Sequence, residues 1–518
     1  MEKEGFSLEP EPIMEIPNEA EQILEKLKKS GFEAYAVGGC VRDLLREVKP
    51  KDWDVTTNAE PKEIQKIFPR SFYKNKFGTV TALADSLDPT LREIEITTYR
   101  IDEKYSDKRH PDSVKFTKNL KEDLARRDFT INAVAFGLKS QTPNLKSQIN
   151  SKFKIQNSKF ILIDPFDGEK DLKDKIIRAV GNPEERFNED ALRMMRAVRF
   201  AADLDFEIEP ETLKAIQENA VWLQAISKER IRDEFIKIIV SYNAEGGIKL
   251  LKETNLLKYV LPELEEGVKI DQNKHHKFDV FEHLTKSLGY AASQNYSLEV
   301  ILGALLHDIA KPRTRKWSEK NKDWTFYGHD MDSARLTPGI LERLRFSKKI
   351  IQKVTLFVKY HLFNSDPEVL SERGLRRFIS RVGKENIDDL IKVRTADRIG
   401  SGVPKAMPYR LRYFQFLLEK VSREPIFSLK DLKIDGNDVM GTLKIEAGPK
   451  IGFVLKALLN EVFEDPSKNK KEYLKKRVKE LGVLKEKELE KLVQEARKKE
   501  LKAEEKDLGE IKKKYWVK

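Results

Sequence analysis

The sequence predicts an α+β fold: a small mixed sheet with helices first, then an all-helical remainder. Three observations carry this. At 518 residues the chain is too long for one core and divides into several domains. Strand-like runs and glycine turns concentrate between residues 31 and 138. From about residue 160 onward, apolar side chains recur at helical spacing. The expected boundaries are a lead and helix over 1–30, a head over 31–138 and a polar insertion over 139–159. A helical neck follows over 160–270, then a second helical domain over 271–405, a body over 406–467 and a Lys/Glu-rich helical tail over 468–518.

Residues 1–16 are acidic and contain prolines, a loose lead without the apolar core of a signal segment. Asn18 is placed to cap a helix that runs to Lys29, where Gly31 stops it. Glu33–Val37 reads as a strand, and Gly38-Gly39 as a turn opening a helix with Arg42 one turn on. Glycines let backbone N–H groups approach phosphate oxygens at a helix start. A second strand then carries Asp52 and Asp54, which alternation points the same way. Carboxylates held side by side repel unless they share a divalent cation. Singly, each feature has an ordinary explanation, since strand ends carry Asp and Gly-Gly makes tight turns. Combined, they describe a site for a nucleoside triphosphate with Mg²⁺.

Glu60–Phe68 reads as a short amphipathic helix ended by Pro69, and Thr79–Leu83 and Glu93–Thr98 as strands. In the latter, Glu93, Glu95 and Thr97 share one face, which makes Glu95 a candidate third carboxylate or else a solvent-facing strand residue. Residues 99–113 lack periodicity and read as a mobile loop. A helix over 123–133 carries Arg126-Arg127-Asp128 and Asn132, by pattern alone a charged helix face. Residues 139–158 are polar and carry no chemistry.

A further helix spans Glu189–Phe200, with Asp190, Arg193, Arg196 and Arg199 at every third position. Ion pairing at i,i+3 contributes about 0.2–0.5 kcal/mol per pair and does not need four groups in register. A sharper reading is a base reader. Ionised Asp only accepts hydrogen bonds and Arg only donates. Cytosine and adenine each show an amino donor beside a ring-nitrogen acceptor, which Asp190 with Arg193 complements. Uracil and guanine show the reverse order, so each would leave buried groups unpaired.

Gly38-Gly39-Cys40-Val41-Arg42-Asp43, followed by Asp52-Trp53-Asp54 and Thr57, resembles the signature of the nucleotidyltransferase superfamily. The likeness is to class II tRNA nucleotidyltransferases and bacterial poly(A) polymerases in particular. Arg126-Arg127-Asp128-Phe129-Thr130-Ile131-Asn132-Ala133 and Glu189-Asp190-Ala191-Leu192-Arg193 resemble two further motifs of that family. The resemblance implies that Asp52 and Asp54 bind two metal ions with support from Glu95. It implies that Gly38, Gly39, Arg42, Arg127, Arg196 and Arg199 contact the triphosphate, and that Asp128 and Asn132 serve the sugar. Asp190 and Arg193 would read the base. Ser227–Phe235 resembles another family motif, a helix-positioning element without chemistry.

Four of the seven histidines fall in a second pattern: His283, His307-Asp308, His329 and His361, closed by Asp397. Helical periodicity around each would bring every ligand from a different helix. A lone helical histidine is ordinarily a satisfied core residue, but the ordered set resembles the HD-domain metal phosphohydrolases, with Ala310 where glycine is commoner. The resemblance implies a divalent metal of open identity at His283, His307, Asp308 and Asp397, with His329 and His361 for a second ion. It also implies a phosphatase or 2′,3′-cyclic phosphodiesterase activity.

Charged residues make up 36% of the chain and its net charge is +12, which suits a polyanionic partner such as RNA. Cys40 is the sole cysteine, excluding disulfide frameworks and thiolate zinc sites and fitting a reducing cytoplasm. No apolar run approaches membrane-spanning length. The expected function is template-independent addition of CCA to tRNA 3′ ends from CTP and ATP; the sequence leaves the oligomeric state open. Poly(A) polymerases and enzymes adding only part of CCA share the motifs. A phosphohydrolase with a degenerate head is the alternative from another class.

Overall fold

The computed structural model describes residues 16–75, 78–103, 113–139, 159–272, 277–402, 408–422 and 428–495. The chain divides into two compact units, Met1–Pro262 and Glu263–Lys518. Among the described residues, no helix is long and apolar enough to cross a membrane.

The first unit is built on strands β1 (Ala34–Val37), β2 (Asp54–Thr57), β3 (Ser71–Asn75), β4 (Thr79–Leu83), β5 (Glu93–Thr98), β6 (Arg100–Glu103), β7 (Ser113–Phe116), β8 (Ala135–Leu138) and β9 (Phe160–Ile163). Seven of them form one mixed sheet in the order β3-β4-β5-β2-β1-β8-β9. Within this sheet, among the described residues, only β2 and β5 pair in parallel, and their register sets Asp54 level with Glu95. Helices α1 (Asn18–Lys29), α2 (Gly39–Leu45), α3 (Pro61–Ile67) and α4 (Leu120–Ala125) accompany the sheet. α1 lays Ile23, Leu24 and Leu27 against Ala34, Ala36 and Val55 on one face. Leu120 and Leu124 of α4 cover Tyr35, Val37 and Ala135 on the other. Each fully buried Leu or Ile contributes about 1.5–3 kcal/mol through burial, so a sheet covered on both faces holds its strand ends rigidly. Helices α5 (Gly168–Asp174), α6 (Pro183–Glu189), α7 (Leu192–Leu204), α8 (Pro210–Asn219) and α9 (Lys228–Ile239) follow.

In the second unit, helices Val280–Ser293, Leu298–Leu306, His329–Arg343, Lys348–Tyr360 and Ile387–Gly400 form a bundle. A separate core gathers Val439, Val454, Leu458, Val462, Leu474, Val478 and Leu481.

Several expectations need correction. The helix expected over 123–133 stops at Ala125, because the chain beyond it pairs with residues 178–180: the Thr130 N–H donates to the Arg178 carbonyl at 3.0 Å and the Val180 N–H to the Asp128 carbonyl at 3.2 Å. Only a single 3₁₀ turn, Thr130–Asn132, remains beyond it. The helix expected over 189–200 is two, α6 and α7, with Asp190 in extended backbone between them. Asp52 lies in the bend before β2 rather than on the strand. Asn18 does not cap α1; Pro17 holds that position, and no side chain caps the helix. The ends of the expected 99–113 loop pair as β6 and β7; residues 104–112 lie outside the described residues.

β9, assigned to the neck, completes the head sheet against β8, since its Phe160, Leu162 and Ile163 are buried there. The neck and second domain are not wholly helical, carrying the short pairs Ile176–Ile177 with Glu207–Ile208 and Lys316–Ser318 with Asp323–Thr325. The supposed tail contributes Lys471–Gly482 to the body core, because Leu474, Val478 and Leu481 form an apolar stripe. The 1–15, 140–158 and 496–518 stretches of the lead, insertion and tail lie outside the described residues.

Candidate active site

The site lies where β1 ends and β2 begins. Gly38 takes φ +80°, a backbone conformation that side chains rarely adopt, and turns the chain into α2. A Cβ at Gly38 would sit 3.0 Å from Arg127 Nη1 and 3.6 Å from Asp54 Oδ2. One at Gly39 would sit 3.7 Å from Arg42 Nη2 and 3.8 Å from Asp52 Oδ1. Both carboxylates and both guanidiniums therefore converge on the glycine turn, with Glu95 beside Asp54 in register. Cys40 is inert here: burial pushes its thiol up to about 12, and Sγ donates to the Val37 carbonyl at 3.2 Å.

Buried Asp123, which sequence reasoning passed over, organises the two arginines that follow it. It accepts from Arg126 Nε at 2.9 Å and from Thr56 at 3.0 Å, and lies 3.9 Å from Arg127 Nη2. Burial pulls the Arg127 guanidinium below its ordinary value, and Arg126 adds to this against the pull of Asp123 and Asp54. Positive charge in such surroundings favours an incoming anion.

A polar chain runs from the turn to α7. Arg42 Nη1 donates to Asn132 Oδ1 at 3.0 Å, Asn132 Nδ2 to Asp128 Oδ1 at 3.1 Å, and Arg196 Nε to Asp128 Oδ2 at 2.7 Å. Burial opposes ionisation of Asp128, but Arg196, Asn132 and Arg193 outweigh it and hold the carboxyl well below the usual range. Phe200, also unassigned from sequence, is the platform beneath. The guanidiniums of Arg42, Arg196 and Arg199 lie 5.3, 5.3 and 4.1 Å from its ring centre. An aromatic face eases the packing of three like charges.

A cavity of about 480 Å³ opens over this chain, lined among others by Arg127, Asp128, Asp190, Arg193, Arg196 and Arg230. Asp190 and Arg193 both face it but do not pair with each other. Arg193 is held by Glu189 at 2.8 Å and by the Arg126 carbonyl at 3.0 Å, while Asp190 is held by Arg230. Arg199 does not line the cavity. It is buried in a two-pronged pair with Glu234 of α9 at 2.9 and 3.1 Å, bracing α7.

The second cluster is in the other unit. Ligand atoms of His283, His307, Asp308 and Asp397 lie within 4.8 Å of one another, as do those of Asp308, His329 and His361. His283 and Asp397 come from packed helices. His307 and His361 follow the last turns of Leu298–Leu306 and Lys348–Tyr360, and His329 opens its helix. Nδ1 of His307, His329 and His361 each contacts a backbone carbonyl, at 2.9, 2.6 and 2.7 Å, which turns Nε2 inward. Burial works against charge on His307, but Asp308 and Asp397 outweigh it and push the imidazole up to about 10. His361 Nε2 is buried and faces Asp308 Oδ1 at 3.5 Å. This negative potential and inward-facing imidazole suit a cation. Among the described residues, both close ligand sets of this kind lie here; the head carboxylates form no such tight set.

The sheet with its paired carboxylates at a glycine turn places the chain in the nucleotidyltransferase class. Residues 34–178 match the Poly A polymerase head domain, 205–267 the RNA and SrmB- binding site of polymerase A, and 315–478 the tRNA nucleotidyltransferase domain 2. The chain is 32% identical over 473 residues to the CCA-adding enzyme of Ligilactobacillus salivarius, covering 90% of this chain and 98% of that protein. It is 32% identical over 468 residues to the Enterococcus faecalis CCA-adding enzyme, covering 89% and 95%. The crystal structure of the Bacillus stearothermophilus CCA-adding enzyme in complex with CTP superposes with a TM-score of 0.64 at 28% identity, covering 89% and 96%. The chain belongs to the CCA-adding enzyme family of tRNA nucleotidyltransferases.

Proposed function

We propose that this protein adds C, C and A in turn to the 3′ end of tRNA, taking CTP and ATP and using no nucleic-acid template. The observation that carries this reading is the convergence of Asp52, Asp54, Arg42 and Arg127 on the Gly38-Gly39 turn. Family membership over nearly the whole length of its relatives supports it. Carboxylate oxygens are hard donors that suit Mg²⁺. Held by Asp52 and Asp54 with Glu95 alongside, Mg²⁺ would supply a 3′-hydroxyl of lowered pKa and neutralise charge on the departing pyrophosphate. The chain's own residues do the rest. Backbone N–H groups of the glycine turn, with Arg42, Arg127 and Arg196, receive the triphosphate. Asp128 and Asn132, locked together, face the sugar. Asp190 accepts from the exocyclic amino group of cytosine or adenine while Arg193 donates to the adjacent ring nitrogen. Arg199, expected to contact the triphosphate, pairs with Glu234 and supports the helix that carries Arg193 and Arg196. A basic chain with one buried cysteine suits work on RNA in a reducing cytoplasm.

The test is incubation with tRNA lacking its CCA end and each nucleotide separately. CMP incorporation from CTP alone, followed by AMP only after CTP, is expected. AMP runs without CMP would place the protein among the poly(A) polymerases.

A second reading is favoured by the histidine–aspartate cluster. Imidazole and carboxylate donors fit a divalent transition metal, which when bound would supply an activated water for phosphoester hydrolysis. Metal-dependent hydrolysis of a simple phosphoester, lost in Asp308→Asn, checks it. Absence of hydrolysis across a panel of divalent metals would leave the cluster a structural core.

A further inference from the structure

Asp190 lies at the break between two helices. It sits between α6 and α7 in extended conformation, φ −139° and ψ 103°. Its Oδ1 accepts from the Leu192 N–H at 3.1 Å and from Arg230 Nη1 at 3.2 Å; its Oδ2 accepts from Arg230 Nη2 at 2.7 Å. A carboxylate has about four acceptor positions. Three are taken, and the fourth belongs to Oδ2. Arg230 comes from α9, a different helix, and lines the same cavity as Asp190 and Arg193. One turn further along α9, Glu234 grips Arg199, so the helix is fixed to α7 independently of Arg230.

We propose that Arg230 is a positioning residue that sets nucleotide discrimination, clamping the Asp190 carboxylate so that a single acceptor is presented to the base. The proposal rests on the reading of Asp190 as a base-amino acceptor. The fork geometry is what matters. Two parallel N–H donors fix both the tilt and the rotation of the carboxylate plane, which a single ammonium cannot do. Held this way, Asp190 meets the amino group of cytosine or adenine and meets the carbonyl of uracil or guanine with like against like. Released, the carboxylate can rotate to accept from the ring N–H of uracil instead. Arg230 touches neither the triphosphate groups at the glycine turn nor the Asp52–Asp54 pair in this arrangement. Its loss should therefore fall on base choice before it falls on phosphate binding.

The experiment uses the full chain, Mg²⁺ and tRNA lacking CCA, and compares kcat/KM for CTP and UTP in the first addition. Wild type, Arg230→Met, Arg230→Lys and Asp190→Ala are measured side by side, with thermal melting and tRNA binding recorded for each. The CTP-over-UTP ratio is expected to fall by roughly tenfold or more in both Arg230 variants, the change appearing chiefly in KM. The lysine variant is expected to melt and to bind tRNA like the wild type. Wild-type discrimination in Arg230→Lys overturns the clamp, since charge alone would then suffice. If Arg230→Met does not fold, the lysine variant decides alone. Loss of discrimination in Asp190→Ala together with full discrimination in Arg230→Lys overturns the clamp and keeps the base reader. Wild-type discrimination in Asp190→Ala removes the base reader and the clamp with it.

Discussion

Asp52, Asp54, Arg42 and Arg127 gather around the Gly38-Gly39 turn, where the proposed function puts a triphosphate with its cation. Replacing Asp54 by Ala is expected to lower CMP incorporation by roughly a thousandfold, about 4 kcal/mol of transition-state stabilisation. Single-turnover assays on truncated tRNA measure this; activity within tenfold of wild type would contradict it. Asp128 gives a prediction in pH. Its folded pKa lies below its unfolded value, through Arg196 and Asn132 overcoming burial. The stability it contributes is therefore fully present above the ordinary carboxylate range and lost as pH falls through the depressed value. Asp128→Asn should destabilise the protein at pH 7, with the penalty shrinking below about pH 4, as followed by denaturant unfolding across pH. At this scale the Asp pair stood out by its spacing, whereas Arg126-Arg127-Asp128 read as a charged helix face and gained a role only through the family resemblance. Asp123 was not legible, and Arg230 only as one residue of the positioning motif Ser227–Phe235. Their importance comes from which side chain they meet across space, and Asp190 finds its partner 40 positions away.

The strand–turn–helix at Gly38 is the element on which the proposed triphosphate site rests. Gly38→Ala would force a side chain into φ +80° and to within 3.0 Å of Arg127. Such strain costs about 1–3 kcal/mol and should raise KM for CTP and ATP together, measured by steady-state kinetics alongside thermal melting. In the second unit, a Cβ at Gly400 would meet Ser287 and stand 2.8 Å from the His283 carbonyl. That crossing sets the Asp397 helix against the His283 helix. Gly400→Ala should weaken divalent-metal binding by that unit, read by equilibrium dialysis, more than it weakens the remaining fold.

Strands with alternating or continuous apolar residues were readable, and Thr79–Leu83 and Glu93–Thr98 fall where periodicity places them. Helix ends were not. Breaks after Ala125 and around Asp190 depend on partners distant in sequence, the bridge of Phe129 to Ala179 and the Arg230 fork on Asp190. The apolar stripe of Lys471–Gly482 is sparse among lysines, so the helix reads as solvated until its partners Val454 and Leu458 are in place.

Over the whole molecule, the net charge of +12 implies that tRNA is held largely through its phosphates. Binding measured between 50 and 200 mM salt should weaken along a straight line in log–log form, with a negative slope of several units. A salt-independent affinity would point to base-specific grip instead. The fold class was legible because strand-forming runs give way to helical periodicity along the chain. Completion of the head sheet by β9 was hidden, since its partner β8 lies beyond the polar 139–159 insertion. The most direct test of the account is to give the full-length protein a tRNA lacking CCA, with Mg²⁺, CTP and ATP, beside Asp54→Ala, and to sequence the product ends. The account predicts C, C and A in that order and then arrest, with no addition by the variant. Homopolymeric A ends, or addition undiminished in Asp54→Ala, would contradict it.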